Sequence, residues 1–338
     1  MINRFLYLGY YIKNLDRSRF RRFLKKASAE SGKGSLKLTI SAIRDSLKYN
    51  ISLLEYFQFH FYRLSEEEKE DWAGTGYMYE YQRLMNPPAK RGILDDKTLF
   101  YSKYKRFFKH HVVRLEDFSE EQPLVEQILA GSRAVLKESR GKCGLGTAFI
   151  DCAKFNYQSL FDYMKTEGYD LVESFIQQHI DLDRLSPSGV NTVRIFTQLR
   201  KDNSVDLLGC RQRISVNSPV DNLAAGNLAA PIDENTGLIT GPAVYSDITK
   251  KPEKKHPVTG VEIVGFQVPF WKQCLQLAID AALEYPANRS VGWDIVVTQD
   301  GPGLIEGNHD WCKLVWQLPV GKGLKKQLEK QRSEYNES

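Results

Sequence analysis

The sequence predicts an α+β or α/β protein that begins with a helical region. Two patterns carry the prediction. Up to about residue 85, apolar residues recur at helical spacing, whereas beyond residue 90 short β-branched and aromatic runs alternate with amphipathic stretches. A third observation, residues 292–308, places an apolar strand, a tight turn and a second strand at the end of that body, with acids on both strands.

In chain order, 36–64 reads as helical and Ser65-Glu66-Glu67-Glu68 opens the next helix with a capping box. Asn86-Pro87-Pro88 interrupts the helical pattern and marks a boundary, because proline lacks the donor that a helix interior needs. Beyond it, 133–136, 170–175, 192–199, 205–214 and the closing hairpin read as strands, 157–166 and 268–283 as helices, and 322–332 as a charged terminal helix.

Composition narrows the class. With 42% hydrophobic and 26% charged residues the chain is ordinary globular material. Its net charge of +5 is concentrated: residues 1–26 hold eight Lys/Arg and one Asp, a balance of +7, so the other 312 residues sum to −2. A near-neutral body argues against nucleic acid as a partner. The basic segment from Arg17 to Lys26 reads as a solvated helix docked through Phe20, Phe23 and Leu24, and leaves open peripheral contact with an anionic membrane face. Five scattered cysteines without a C-x-x-C pair fit free thiols in a reducing compartment, and the apolar run 5–12 is too short to span a bilayer, so a cytoplasmic location is expected.

The hairpin carries the sharpest chemistry. Asp294 on one strand and Glu306 and Asn308 on the other form an oxygen-only donor set suited to magnesium. Glu306 and Asn308 are two apart and share a face. A two-residue Asp300-Gly301 turn would send Asp294 to the opposite face, while a three- or five-residue connection would bring all three together, and Pro302 disfavours the shorter turn.

Upstream, a strand ends in Lys137 and is followed by Gly141, Gly144 and Gly146, either a phosphate-cradling loop or a flexible hairpin. Glu173, with Gln178 and His179 beyond it, lies on a strand that either meets an adenosine or is a plain edge. Arg194, Arg211 and Arg213 offer forks for phosphate or carboxylate, or pair with acids of the body. Asp221, Asn222 and Asn227 punctuate a small-residue loop that either closes over substrates or is plain connection, and His309 follows Asn308 into the same neighbourhood, where a structural role is the first reading and substrate contact the second.

Taken in order, Lys97, Lys137 with its glycines, Glu173, Asp294 and Glu306-x-Asn308 resemble the ATP-grasp superfamily over roughly 90–320. The phrases Asn191-Thr192-Val193-Arg194, Asp221-Asn222 and Gly292-Trp293-Asp294 look like its sugar-transfer-associated branch, related to glutamate-ligase-like sequences. The resemblance implies a helical region at 1–88, a first lobe at 89–170 and a second at 171–338, with ATP sandwiched between the two α+β lobes. It implies Lys97, Lys137 and the glycines on the phosphates, and Glu173, Gln178 and His179 on the adenosine. Asp294, Glu306 and Asn308 would hold Mg2+, and Arg194 and Arg213 would meet the γ-phosphate or the acceptor carboxylate. Asp221, Asn222, Asn227 and His309 would face substrate. The implied reaction is ATP-dependent amide formation from a small-molecule carboxylate and an amine, in surface-polysaccharide or related glycan modification. A phosphotransferase or a non-catalytic ATP-binding scaffold is the alternative. Two departures accompany it: 1–85 is helical where many relatives carry a Rossmann-like domain, and Gly292 stands where some place an arginine.

Overall fold

The computed structural model describes residues 4–141 and 146–336. Its first part is helical: α1 (Arg4–Lys13), α2 (Arg17–Ser31), α3 (Ser35–Tyr49), α4 (Leu53–Gln58), α5 (Glu66–Glu70) and α6 (Thr75–Met85). The helical stretch read at 36–64 is in fact broken. Asn50 adopts φ 56°, a left-handed conformation that ends α3, and Ser52 with Glu55 then forms a capping box that starts α4. Ser65 and Glu68 form the second box, at the start of α5. Phe23, Leu38, Phe57, Phe61 and Trp72 are buried together at the centre of this bundle. α2 docks through Phe23, with Phe20 and Leu24 packed alongside.

Two short helices follow, α7 (Gly92–Asp95) and α8 (Lys97–Tyr104). The first sheet then has the order β1 (Val112–Arg114), β4 (Leu171–Ser174), β2 (Arg133–Lys137), β3 (Thr147–Asp151), all antiparallel. It is backed by α9 (Gln122–Leu129) and α10 (Tyr157–Glu167), whose Val125, Ile128, Leu160 and Met164 share a core with Leu136 and Val172. The lobe boundaries at 89 and 170 both move. β4 hydrogen-bonds to β1 and β2, so the first lobe runs through Ser174. Phe100 and Tyr104 of α8 are buried in the core of the second sheet, so α8 belongs with that lobe.

The second sheet is ordered β7 (Leu228–Ile232), β6 (Val205–Ile214), β5 (Val193–Leu199), β8 (Ser290–Thr298), β9 (Gly301–Asn308), again antiparallel throughout. Helices cover both faces, which explains why β5 is buried at every residue although it carries Arg194, Thr197 and Gln198. On one face lie α11 (Ile180–Leu185) and α12 (Trp271–Glu284), the latter approaching through Cys274, Ala278, Ala281 and Ala282. On the other, Met78, Tyr81 and Met85 of α6 join Phe196, Leu208, Trp311 and Trp316, close to α13 (Lys313–Gln317) and α14 (Lys325–Asn336). The N-terminal bundle is thereby fixed to the second sheet. The loop expected at 221–230 is only half a loop: Leu228, Ala229 and Ala230 are buried strand residues of β7.

Candidate functional site

The β8–β9 hairpin turns on two residues, Gln299 and Asp300, because Thr298 pairs with Gly301 and Val297 with Pro302. Pro302 is tolerated there because β9 is an edge strand. That connection alone would set Asp294 against position 305. A bulge between Asp294 and Ile295 shifts the register by one, so that Asp294 pairs with Glu306 and Gly292 with Asn308. The inserted residue, Ile305, does what an odd-length turn was expected to do. Asn308 Nδ2 donates to Glu306 Oε1 at 3.1 Å, so these two share a face.

Arg194 lies opposite Asp294 on β5 and donates both Nε and Nη2 to its carboxylate, the latter at 2.7 Å. Arg213 Nη1 reaches the same carboxylate at 2.7 Å, and its Nη2 reaches Asp221 at 2.6 Å. Asp221 also accepts from the Thr192 amide at 2.8 Å and the Thr192 hydroxyl at 2.5 Å. Gly292 leaves room for this arrangement, since a Cβ there would sit 2.8 Å from Trp311 Cβ and 3.3 Å from Arg194 Cδ. Burial opposes ionisation of Asp294, but Arg194 and Arg213 outweigh it and hold the carboxyl well below the usual range. Glu306 lies within hydrogen-bonding reach of Asp294, and burial followed by that neighbouring charge pushes its carboxyl up. Two acids in contact, one of them resisting ionisation, are what a divalent cation would relieve. Among the described residues no cluster of three or more His, Cys, Asp or Glu side chains gathers for a metal; the set here is two carboxylates and an amide.

The opposite wall comes from the first lobe and α8. Lys137 Nζ meets Glu173 Oε2 at 2.7 Å, and His110 Nε2 approaches the same oxygen at 3.2 Å. Burial opposes the Glu173 charge, yet Lys137 and His110 bring its carboxyl down to about 2. Asp96 caps α8 by accepting from the Thr98 amide at 3.0 Å, and this sets Lys97 at the helix start. Lys97 donates to the carbonyls of Glu138 and Gly141, tying α8 to the glycine loop. Burial lowers its ammonium pKa, with Glu306 opposing and Lys137 reinforcing the shift.

Between the two walls lies a cavity of about 760 Å³. Lys97, Lys137, Gly141 and Glu173 line one side, and Arg213, Asp221, Asn222, Asp294 and Glu306 the other. Gln178 also lines it, but its amide braces the 186–191 loop, donating to the Ser186 carbonyl at 3.0 Å and accepting from the Asn191 amide at 3.0 Å. Other residues read as site residues lie outside this lining. Arg194 is bonded to Asp294, and Asn308 to Glu306, each one contact away from the lining. His179 caps α11, accepting from the Asp181 amide at 3.3 Å. Asn227 is fully buried and holds the loop by donating to the carbonyls of Val220 at 2.7 Å and Asn222 at 3.0 Å. His309 pairs with Asp95 at 2.9 Å. Gly146, at φ +70°, packs against Glu138, and Gly144 lies outside the described residues. Arg211 donates to the Trp316 carbonyl at 2.9 Å, a structural bond.

Sequence reasoning passed over the apolar end of the cavity, where Val135, Phe149, Phe175 and Ile176 meet Arg133, whose guanidinium lies 4.1 Å from the Phe175 ring centroid. The signal was present: Arg133, Val135 and Lys137 share one face of β2, and Val135 pairs with Phe149 across the sheet. His110 was passed over too, and nothing local marks it, because its partner Glu173 is 63 residues away.

The model of a protein family described as sugar-transfer associated ATP-grasp matches residues 77–332. No curated protein sequence matches the chain. Among solved structures, an ADP complex of N5-carboxyaminoimidazole ribonucleotide synthetase is similar at 8% identity and TM-score 0.40, over 64% of this chain and 45% of that one. The same synthetase from Thermus thermophilus is similar at 13% identity and TM-score 0.39, over 69% and 51%. An L-amino acid ligase from Bacillus licheniformis is similar at 11% identity and TM-score 0.38, over 64% and 41%. The chain spans about half the length of these proteins or less.

Proposed function

The chain belongs to the sugar-transfer associated ATP-grasp family, and from that premise we propose that it is an ATP- and Mg2+-dependent carboxylate–amine ligase acting on glycan-linked substrates. The observation that carries the reading is the polarity of the cavity: Lys97 and Lys137 face it from one side, Asp294 and Glu306 from the other, and an apolar slot lies at one end. Val135, Phe149 and Phe175 would take the adenine, and the two lysines the phosphate oxygens. Asp294, Glu306 and the amide oxygen of Asn308 would hold Mg2+, which supplies neutralisation of phosphoryl charge.

In this reading a carboxylate oxygen of the acid attacks the γ-phosphorus and ADP leaves. The amine nitrogen then attacks the acyl carbon, phosphate leaves, and the amine gives up a proton. Arg194 and Arg213 would act first through Asp294, although Arg213 also lines the cavity. They fix the orientation of Asp294 and keep it ionised. Asp221 and Asn222 line the cavity together with Pro187, Ser188 and Gly189, where an acceptor would bind.

The test is phosphate release from ATP, with candidate sugar acids and amines offered singly and together and the products identified by mass spectrometry. A ligase releases phosphate only with both substrates present and leaves an amide. A phosphorylated product means a kinase, and binding without turnover means a scaffold. Glu306→Gln is expected to lose at least about a hundredfold in turnover while staying folded, as losing one group that stabilises developing charge does elsewhere. Turnover equal to wild type would refute the metal assignment.

A further inference from the structure

The N-terminal bundle carries an apolar surface that the proposed reaction does not use. α2 spends its apolar face inward, on Phe23 and Ala27. α1 turns Tyr7, Tyr11 and in part Leu8 inward and leaves Leu6, Tyr10 and Ile12 exposed at 67%, 60% and 51%. On α3, Leu36, Ile40 and Ile43 form an i, i+4, i+7 row exposed at 75%, 58% and 38%. The two helices touch: Arg4 near the start of α1 donates to the carbonyls of Leu47 and Lys48 at the end of α3, the first at 3.1 Å. The Tyr11 hydroxyl meets Asn50 Oδ1 at 3.3 Å. Six large apolar side chains on two contacting helices exceed the singly scattered exposure normal for a protein surface.

The helices that carry and adjoin this face are cationic. Residues 1–50 contain twelve Lys/Arg and three Asp/Glu, a balance of +9, so the remaining 288 residues sum to −4. Lys13, Arg17, Arg21, Lys25 and Lys37 are exposed and make no ion pair among the described residues. A second copy on this face would bring like charge against like charge. A plane of anionic headgroups over hydrocarbon meets both requirements, the cations taking lipid phosphates and the apolar rows entering the headgroup boundary. No helix among the described residues is long and apolar enough to cross a bilayer, so the contact would be peripheral.

We propose that the exposed faces of α1 and α3, together with the unpaired cations of residues 13–37, dock the protein on an anionic membrane surface. The proposal stands independently of the reaction.

The test is co-sedimentation of the full chain with vesicles of phosphatidylcholine alone and of phosphatidylcholine with phosphatidylglycerol. Binding is expected only to the anionic vesicles and should weaken as salt rises. L36S/I40S is expected to reduce it at least about tenfold, and Arg17→Glu with Arg21→Glu by at least about tenfold. All these positions are exposed, so the melting temperature and ATP affinity of both variants should match wild type. The idea is overturned if the wild-type chain ignores anionic vesicles at low salt, or if L36S/I40S binds them as well as wild type. It is equally overturned if sedimentation velocity reveals a dimer that L36S/I40S dissociates, since the face would then be a self-interface.

Discussion

On the wall built by the first lobe and α8, two lysines outnumber the one carboxylate beside them. Lys137 leans on Glu173 at 2.7 Å, while Lys97 donates to backbone carbonyls. On the wall built by the second sheet the balance is reversed: Arg194 and Arg213 alternate with Asp294 and Asp221, and Glu306 adds a third carboxyl. With these groups ionised, Lys97, Lys137 and Glu173 leave one surplus positive charge, to which Arg133 at the apolar end adds a second, and the named second-sheet groups leave one surplus negative charge. A polyanion bound with a cation fits between them, the anion toward the lysines and the cation toward the acids. The walls also differ in redundancy. In the Arg194–Asp294–Arg213–Asp221 series each charge has an opposite partner, with Asp294 shared between arginines of β5 and β6, whereas Lys97 is held by one helix start and one loop.

The largest effect should come from breaking the redundant wall. Asp294→Ala leaves the Arg194 guanidinium buried without its counter-charge and Arg213 with Asp221 alone, and removing one partner from such a set costs about 3–5 kcal/mol. Urea unfolding at neutral pH should show the loss as a lower midpoint. A loss below about 1 kcal/mol would mean that the series is no more than a surface network. Glu173→Gln probes the other wall and has a pH signature. The folded-state carboxyl is depressed to about 2 from an ordinary 4.5. Its contribution, about 3 kcal/mol at most at 1.4 kcal/mol per pKa unit, is therefore fully present above pH 4.5 and lost as the pH falls toward 2. The stability difference between wild type and Glu173→Gln should shrink across that window. A difference that stays constant there would remove Glu173 as its source.

This contrast was legible from sequence only on the scale of single strands. The range 205–214 is the strand β6, and Lys137, Glu173, Asp294 and Glu306 stood out as charges in apolar runs. Pairing was out of reach where partners are distant. Arg194 and Asp294 are 100 residues apart, and Tyr81 meets Gln198 at 2.6 Å across 117. The hairpin shows the limit within a single element. Counting residues around the turn gave the parity needed to bring Asp294 and Glu306 together, but a bulge supplies the extra residue as well as a longer turn does. Ile305 carries no local mark of one. The histidines show a related limit: His179 and His309 stand near polar motifs along the chain, whereas their bonds in the fold go to a local cap and to an acid on α7.

The smallest effect on stability, and the cleanest separation of binding from folding, is expected at Lys97. Burial lowers its ammonium pKa, so at neutral pH the charge works against the free folded state. For a base with a depressed folded-state pKa, that cost is present below the folded value and disappears above the unfolded one. Lys97→Met keeps much of the side-chain length and discards the charge, so the melting temperature should stay the same or rise slightly. ATP affinity measured by calorimetry should fall about tenfold, the worth of one hydrogen bond to a charged group. Glu173→Gln should show the reverse bias, losing stability before affinity. If Lys97→Met lost stability and kept its affinity, Lys97 would be a clamp between α8 and the glycine loop, and the positive surplus of the first wall would have to come from Lys137 and Arg133.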